Sequence, residues 1–158
     1  MLSAVSAADD LRLTEARTLL LEYVQSLDVD LAFQNVDQEL SEFPANYLPP
    51  AGALLLADHG QRLAGSVAMR RLDQRTCEMK RLYVRPDFRG YGIGRVLADA
   101  IIDAAKDAGY RRMRLDTLPG MGDAQRLYGI LGFREIPAYY ENPIAGTRYL
   151  ELELRPST

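Results

Sequence analysis

Hydrophobic residues near the start of the chain recur with the period of a helix. Between Ala16 and Leu27 the apolar side chains lie three or four residues apart, so they share one face of an α-helix. Ser6 or Thr14 is a suitable residue to cap the start of this helix. A weaker apolar pattern predicts one or two helical turns around Val36–Ser41, after which prolines interrupt regular structure.

Short apolar segments in the middle of the chain predict strands. Strands are expected over Ala53–Ala57, Leu63–Arg70 and Thr76–Val84. A turn sequence at residues 58–60 separates the first two, and a polar turn at residues 72–75 separates the second and third. Strands joined by such short turns pair in an antiparallel manner.

The second half of the chain alternates helices with strands. Its most regular apolar stripe predicts a helix from about Gly92 to Ala108, which Gly109 ends. The other predicted elements are a strand over Arg112–Thr117, a short helix capped by Asp123 and running to about Leu131, and strands over Phe133–Ile136 and Arg148–Leu154. A strand, a helix and a second strand in succession imply one parallel crossover. The order predicts a single α/β (α+β) domain over residues 1–158, with a mixed sheet and helices on both faces.

Composition and charge narrow the class of protein. The 158 residues are 47% hydrophobic and carry a formal net charge of −3. Because nucleic-acid-binding domains are usually basic, we do not expect nucleic acid as a partner. No apolar run reaches about 18 residues, and the first residues lack the pattern of a signal peptide, so we expect no membrane partner. Cys77 is the only cysteine, which fits a reducing cytoplasm.

The most informative segment is the glycine-rich sequence Arg-Gly-Tyr-Gly-Ile-Gly at residues 89–94, between a predicted strand and the long helix. Glycines let a backbone turn tightly and approach a ligand closely. The first turn of a helix leaves N–H groups without partners, and the helix dipole adds attraction for an anion. Arg89 and Arg95 flank the loop with positive charge. A phosphate or pyrophosphate group is therefore the expected ligand.

The spacing of this loop distinguishes between the phosphate-binding families. A Walker loop would end in Gly-Lys followed by Ser or Thr, whereas Gly94 is followed by Arg95 and Val96. A Rossmann loop would have the spacing G-x-G-x-x-G after the first strand of a βαβ unit, whereas G-x-G-x-G here follows several hairpin strands. Neither loop fits. A glycine-rich turn that merely joins a strand to a helix is the remaining structural alternative.

A third family fits the loop. The pattern Arg-x-x-Gly-x-Gly, formed by Arg89, Gly92 and Gly94, resembles the acyl-coenzyme A pyrophosphate loop of the GNAT N-acetyltransferases. Residues 78–86 resemble the strand and turn before that loop, and residues 124–133 resemble the A-x-x-L-Y-x-x-x-G-F helix of the family. The resemblance implies a GNAT fold: a mixed, mostly antiparallel sheet of about six to seven strands, with two strands that splay at the acyl-coenzyme A site.

The resemblance also implies acetyl-CoA or coenzyme A as a co-substrate, and no metal. In the family, backbone groups of the strand hold the pantetheine arm and the loop holds the pyrophosphate. The corresponding positions in this chain are Leu82, Tyr83, Val84, Arg89, Gly90, Tyr91, Gly92, Ile93, Gly94, Arg95 and Tyr128. The chain departs from the family at Met121, where many members carry an asparagine that bonds the pantetheine arm.

Two residues are candidates for proton transfer. Glu78 lies six residues before Val84, so both should face the same side of the strand. Glu78 matches a position where several family members carry a general base; the alternative is a solvated carboxylate paired with Lys80. Tyr128 matches the motif tyrosine whose hydroxyl lies near the coenzyme sulfur and can protonate it; the alternative is core packing.

The resemblance places the acceptor pocket between the first two helices and the late strands. The predicted substrate-binding residues are Phe33, Tyr47, Glu78, Asp116 and Tyr140, with Tyr139 as a further aromatic wall. Glu39 and Glu42 either attract an amine or are surface charges of a helix. Cys77 is expected in the core and His59 in an exposed turn, and a lone histidine forms no zinc site.

The predicted function is transfer of an acetyl group from acetyl-CoA to the primary amine of a small-molecule or amino-acid-like acceptor, by direct attack in a ternary complex. Two alternatives stay open. One is a non-catalytic acyl-CoA sensor on the same scaffold, and the other is an acetyltransferase of protein N-termini or lysines. The exposed late strands leave room for a homodimer.

Overall fold

A computed structural model describes residues 1–6, 9–27 and 36–154. Within them, seven strands form one sheet in the order β1-β2-β3-β4-β5-β7-β6. The strands are β1 Leu2–Ala4, β2 Ala53–His59, β3 Arg62–Arg71, β4 Thr76–Val84, β5 Arg112–Thr117, β6 Arg134–Ile136 and β7 Arg148–Glu153. The β4–β5 pair is parallel and the other neighbouring pairs are antiparallel. The structure therefore confirms the mixed, mostly antiparallel sheet.

Helices cover both faces of this sheet. They are α1 Asp10–Ser26, α2 Val36–Glu42, α3 Ile93–Asp107 and α4 Gly122–Leu131, with short 3₁₀ turns at Ala45–Tyr47 and Pro86–Phe88. One apolar core contains Leu97 and Ile101 of α3 and Tyr128 of α4. The other contains Ala16 and Leu19 of α1, on the opposite face. No helix among the described residues has the length and apolar character needed to cross a membrane.

The starts of two helices differ from the prediction. Helix α1 begins with Asp9 as its cap, whose carboxylate accepts a hydrogen bond from the backbone N–H of Arg12 at 3.0 Å. Neither Ser6 nor Thr14 has that position, because the helix begins between them. Helix α4 begins at Gly122, so Asp123 lies inside its first turn and pairs with Arg126 instead of capping. The cap position of α4 is Met121, which supplies no side-chain hydrogen bond.

The parallel pairing of β4 with β5 stops early. It joins Thr76, Cys77 and Glu78 to residues 112–114, and no pairing continues to the ends of the two strands. The rest of β4 remains paired with β3 on its other side, as far as Val84. The strands therefore separate after Glu78, as the resemblance implied.

A bulge in β4 reverses which side chains share a face. The pairing with β3 shifts between Ser66 and Ala68, and Arg81 has a φ of 59°. Before the bulge, Cys77 and Met79 face the core under α3; after it, Leu82 and Val84 do so. Glu78 and Val84 therefore lie on opposite faces, and the expectation that they share a face was wrong, because one extra residue inverts the alternation.

Candidate active site

The glycine-rich loop presents a row of unpaired amides. Gly90 and Gly92 have φ values of 89° and 79°, in the left-handed region that favours glycine. After Arg89, whose N–H bonds to the carbonyl of Pro86, the next N–H that bonds back is that of Val96, to the carbonyl of Gly92 at 3.1 Å. For the amides of residues 90–95, no backbone acceptor is found among the described residues. This arrangement can bind an anion without side-chain charge.

A cavity of about 520 Å³ lies beside the loop. Its walls come from α1, β4, the loop and α4, and include Tyr23, Leu82, Val84, residues 92–94 and Leu127. Arg89 is exposed at the rim, and its Nε donates to the carbonyl of Val84 at 3.1 Å. The lining of the cavity includes both the residues of the loop and Leu82 and Val84, which belong to the part of β4 that is no longer paired with β5.

A smaller cavity of about 50 Å³ continues from the first into the gap between β4 and β5. The two cavities share Tyr23, Leu82, Met121 and Ala124 as lining residues. The inner cavity adds polar groups from β4, β5 and α4, namely Lys80, Arg81, Asp116, Thr117 and Tyr128. A ligand anchored by the loop would therefore place its far end among these groups.

Tyr128 lies at this inner cavity and is 7% exposed. Its ring packs edge-on against Phe133, at a centroid distance of 5.7 Å. Burial, helped by the negative charge of Asp116, raises the pKa of the Tyr128 phenol, so it stays protonated at neutral pH. Its hydroxyl has no hydrogen-bond partner within the described part of the chain, which leaves it available to a ligand.

Glu78 is a buried, fully bonded carboxylate, 1% exposed. Oε1 accepts a hydrogen bond from Nε of Arg70 at 2.8 Å, and Oε2 accepts one from the hydroxyl of Tyr139 at 2.6 Å. Lys80 Nζ lies 3.8 Å from Oε1. Burial alone would raise the pKa of Glu78, but Lys80 and Arg70 outweigh it and the pKa is lowered. Glu78 is therefore not a solvated strand carboxylate, although it does pair with Lys80.

Lys80 lies on the same face as Glu78 and is 8% exposed. Burial lowers the pKa of its ammonium, partly offset by the attraction of Glu78. Among the described residues, its only close ionic partner is Glu78, and Lys80 also lines the inner cavity. Lys80 therefore lies between the predicted base and the gap in the sheet.

Asp116 belongs to a cluster of tyrosines on the same face. The hydroxyl of Tyr140 donates to Oδ2 of Asp116 at 2.5 Å, and Asn142 donates to that hydroxyl at 3.1 Å. Tyr139 and Tyr149 pack edge-on against each other and against Tyr140. Two of the predicted substrate-binding residues, Asp116 and Tyr140, are thus brought together beside the gap.

The other predicted acceptor residues lie near α2. Glu39 is ion-paired with Arg81, with Oε1 3.1 Å from Nη2, whereas Glu42 is exposed and accepts a hydrogen bond from Gln38. Tyr47 is buried and lines a polar cavity of about 190 Å³ together with Arg70. Phe33 lies outside the described residues, so its predicted role stays a prediction.

Two loop residues direct their side chains away from the cradle. The Arg95 guanidinium pairs with Asp99 on the outer surface of α3, at 3.3 Å. The ring of Tyr91 is 63% exposed and packs against His59 at a centroid distance of 4.8 Å. Their coenzyme contacts stay predictions, and with the side chains placed in this way those contacts would be made by the backbone amides.

Sequence reasoning missed Arg70 and Arg81. Arg70 pairs directly across from Glu78 in the β3–β4 register, and this position follows from counting outward from the turn at residues 72–75. Arg81 is brought to Glu39 by the bulge, which has no recognisable sequence signal. Cys77 is buried and His59 exposed, as expected. The described residues contain no group of side chains that could hold a metal ion.

Comparisons with known proteins agree on one family. The chain matches the acetyltransferase (GNAT) family over residues 18–133. It is 43% identical to an uncharacterized N-acetyltransferase of Schizosaccharomyces pombe, covering 97% of this chain and 94% of that protein.

Solved structures agree on the fold. A GNAT acetyltransferase from Staphylococcus aureus superposes with a TM-score of 0.76 at 22% identity, covering 98% of this chain and 100% of that one. A GNAT acetyltransferase from Elizabethkingia anophelis with acetyl-CoA bound superposes with a TM-score of 0.66 at 24% identity, covering 98% and 97%. The family match and the fungal relative together show that this chain is an acyltransferase that belongs to the GNAT family.

Proposed function

We propose that this protein transfers an acetyl group from acetyl-CoA to the primary amine of a small, amino-acid-like acceptor, within a ternary complex. The observation that carries the proposal is the pair of adjoining cavities, which share four lining residues and extend from the unpaired amides of the loop to the gap between β4 and β5. A pyrophosphate at the loop fits the amides, and the arm attached to it fits the path. The family membership and the acetyl-CoA found in the Elizabethkingia relative support acetyl-CoA as the donor.

The chemistry requires an amine, a base and a group that assists the departing sulfur. The amine nitrogen attacks the thioester carbon, a C–N bond forms, and the C–S bond breaks with its electron pair on sulfur. The proton released by the new ammonium group goes to Glu78, directly or through water. The position of Glu78 beside Lys80, on the face proposed for the acceptor, supports this assignment. Its lowered pKa keeps the carboxylate ionised at neutral pH, as a proton acceptor must be, and also makes it a weak base.

Tyr128 serves the leaving group. Its hydroxyl lines the inner cavity and stays protonated at neutral pH, as a donor to a developing thiolate must. An ordinary thiol has a pKa of about 8.5, well below that of this phenol, so the hydroxyl acts mainly by hydrogen bonding to the sulfur rather than by complete proton transfer.

Charges around the gap support an acceptor that carries both an amine and a carboxylate. Cations and carboxylates alternate on the face that holds Glu78; they are Arg70, Lys80 and Arg81 with Glu39, Glu78 and Asp116. Asp116 and Glu78 can attract an ammonium group, and Arg70 can bind a carboxylate because its terminal nitrogens have no hydrogen-bond partner among the described residues. The second candidate acceptor is the amine of a protein N-terminus or of a lysine side chain. The observation in its favour is that the Arg70 side chain is partly exposed, so a longer chain could reach it.

The test is a thiol-release assay with acetyl-CoA and a panel of amino acids, polyamines, aminoglycosides and peptides. We expect release with at least one amino acid, and about 100-fold slower release in Glu78→Gln and about 10-fold in Tyr128→Phe. Glu153→Gln is the matched control and should leave the rate unchanged, because Glu153 is exposed at the end of β7 and lines none of the three cavities around the site. Coenzyme binding without turnover of any amine would favour the acyl-CoA sensor.

Two further expectations belong to this proposal. We propose a cytoplasmic location because the single cysteine cannot form a disulfide within the chain, which suits a reducing compartment. We also propose that a homodimer is compatible with the fold, since β6 forms an edge of the sheet. Gel filtration with light scattering distinguishes the monomer from the dimer.

A further inference from the structure

Thr117 has a buried hydroxyl that lacks a partner. The residue is 2% exposed, and its Oγ1 makes no hydrogen bond to any residue that the structure describes. A buried hydroxyl without a partner costs folding free energy, so such groups are rare and call for an explanation. The backbone of Thr117 is paired with Arg148 of β7, so the residue itself is held firmly in the sheet.

The position of this hydroxyl points to a ligand. Thr117 is the last residue of β5 and lines the inner cavity together with Tyr128 and Met121. It alternates with Asp116, so it faces the side of α3 and α4, with Leu115. Glu78, Lys80 and Asp116 lie on the other face, where the acceptor is proposed to bind. The Thr117 hydroxyl therefore faces the donor side of the gap.

We propose that the Thr117 hydroxyl is a binding residue for the sulfur-bearing end of the acyl-coenzyme A arm, hydrogen-bonded to the amide or carbonyl group nearest the sulfur. The inference rests on the proposed function. Met121 lines the same cavity and has no strong hydrogen-bonding group, so Thr117 and Tyr128 supply the side-chain hydroxyls on this side of the inner cavity. The unmet hydrogen bond in the free protein is satisfied when the arm enters.

The test compares Thr117→Val, which removes the hydroxyl and keeps the shape, with Thr117→Ser, which keeps the hydroxyl. Calorimetry would measure the affinity of each variant for coenzyme A and for 3′-phospho-ADP, which has the phosphates but no arm. We expect Thr117→Val to bind coenzyme A about five-fold more weakly, with its affinity for 3′-phospho-ADP unchanged. Thr117→Ser should bind both ligands as the wild type does.

The stability of the ligand-free variants gives a second readout with the opposite sign. Thr117→Val should unfold at the same temperature as the wild type or higher, because it removes an unpaired buried hydroxyl. Thr76→Val is the matched control: Thr76 is equally buried, but its hydroxyl bonds to Asp73 away from both cavities. Thr76→Val should therefore unfold at a lower temperature and bind coenzyme A normally.

Two results would overturn the inference. One is a Thr117→Val protein that binds coenzyme A as tightly as the wild type does. The other is an equal loss of affinity for coenzyme A and 3′-phospho-ADP in the valine and serine variants, which would indicate a general disturbance. A wild-type protein that binds neither ligand would instead overturn the proposed function itself, so the two failures are distinguishable.

Discussion

At the scale of single residues, the carboxylate of Glu78 depends on its neighbours for its charge. Two cations, Arg70 and Lys80, and one hydroxyl donor, Tyr139, surround it in a buried site. Because the folded protein lowers its pKa, Glu78 contributes stability that is fully present above its unfolded pKa of about 4.3 and is lost as the pH falls through the folded value. Removing a cation should therefore change both the chemistry and the acid stability.

The substitution Lys80→Met tests this dependence. It keeps much of the side-chain volume but removes the charge 3.8 Å from Glu78, so the pKa of Glu78 should rise. We expect the acidic limb of the profile of kcat/KM against pH to move to higher pH. The loss of stability on acidification should also begin at higher pH, measured by circular dichroism.

Lys106→Met is the control for this change. Lys106 is the only other lysine of the sequence and lies in the last turn of α3, away from Glu78. The Lys106→Met substitution removes the same charge as Lys80→Met and should leave the profile of kcat/KM against pH unchanged. An acidic limb that stays in place in Lys80→Met would show that Lys80 does not set the charge state of Glu78.

At the scale of elements, the glycine loop and the first turn of α3 are the part of the site that sequence predicts best. Gly90 and Gly92 adopt left-handed backbone conformations, whereas Gly94 lies within the helix. A Cβ at Gly94 would meet only Val84 and Leu127, at 3.8 and 4.0 Å, which is ordinary contact. Gly94 also lines the larger cavity, so a side chain at this position would occupy the space proposed for the ligand rather than strain the backbone.

Gly94→Val should therefore separate folding from binding. We expect a melting temperature close to that of the wild type and an affinity for coenzyme A at least ten-fold weaker, because the new methyl groups enter the phosphate cradle. Calorimetry measures the affinity and differential scanning fluorimetry the stability. Gly129→Ala is the control, since Gly129 is exposed on α4, lines neither cavity and has open space for a Cβ. A Gly94→Val protein that binds coenzyme A normally would place the phosphates elsewhere.

The elements themselves were largely predictable, whereas the register within β4 was not. Apolar periodicity located α3 and the hairpin strands, because a core needs apolar faces at fixed spacing. The bulge at Arg81 has no sequence signal, since a positive φ is unusual for arginine and is imposed by the surrounding sheet. It reverses the side of Val84 relative to Glu78 and buries Arg81 against Glu39. The charged network of the site therefore required the structure.

At the scale of the whole molecule, ligand binding should stabilise the fold by mass action. A ligand that binds only the folded state at 100 times its Kd adds about 2.7 kcal/mol to the free energy of unfolding. For a domain of this size we expect coenzyme A to raise Tm by about 5–10 °C under that condition. 3′-phospho-ADP, which cannot span the gap, should raise Tm less at the same multiple of the coenzyme A Kd. If coenzyme A and 3′-phospho-ADP raised Tm equally at the same concentration, the pantetheine arm would make no stabilising contact between β4 and β5.

The early end of the β4–β5 pairing has a consequence for how the molecule holds together. Three residue pairs are the only ladder between a block of β1 to β4 and a block of β5 to β7 in the described sheet. Under the proposed function, the pantetheine arm lies along the free edge of β4 as a surrogate strand. The acyl donor would then act both as a reactant and as a structural link between the two blocks of strands. Release of coenzyme A at the end of each turnover would remove that link.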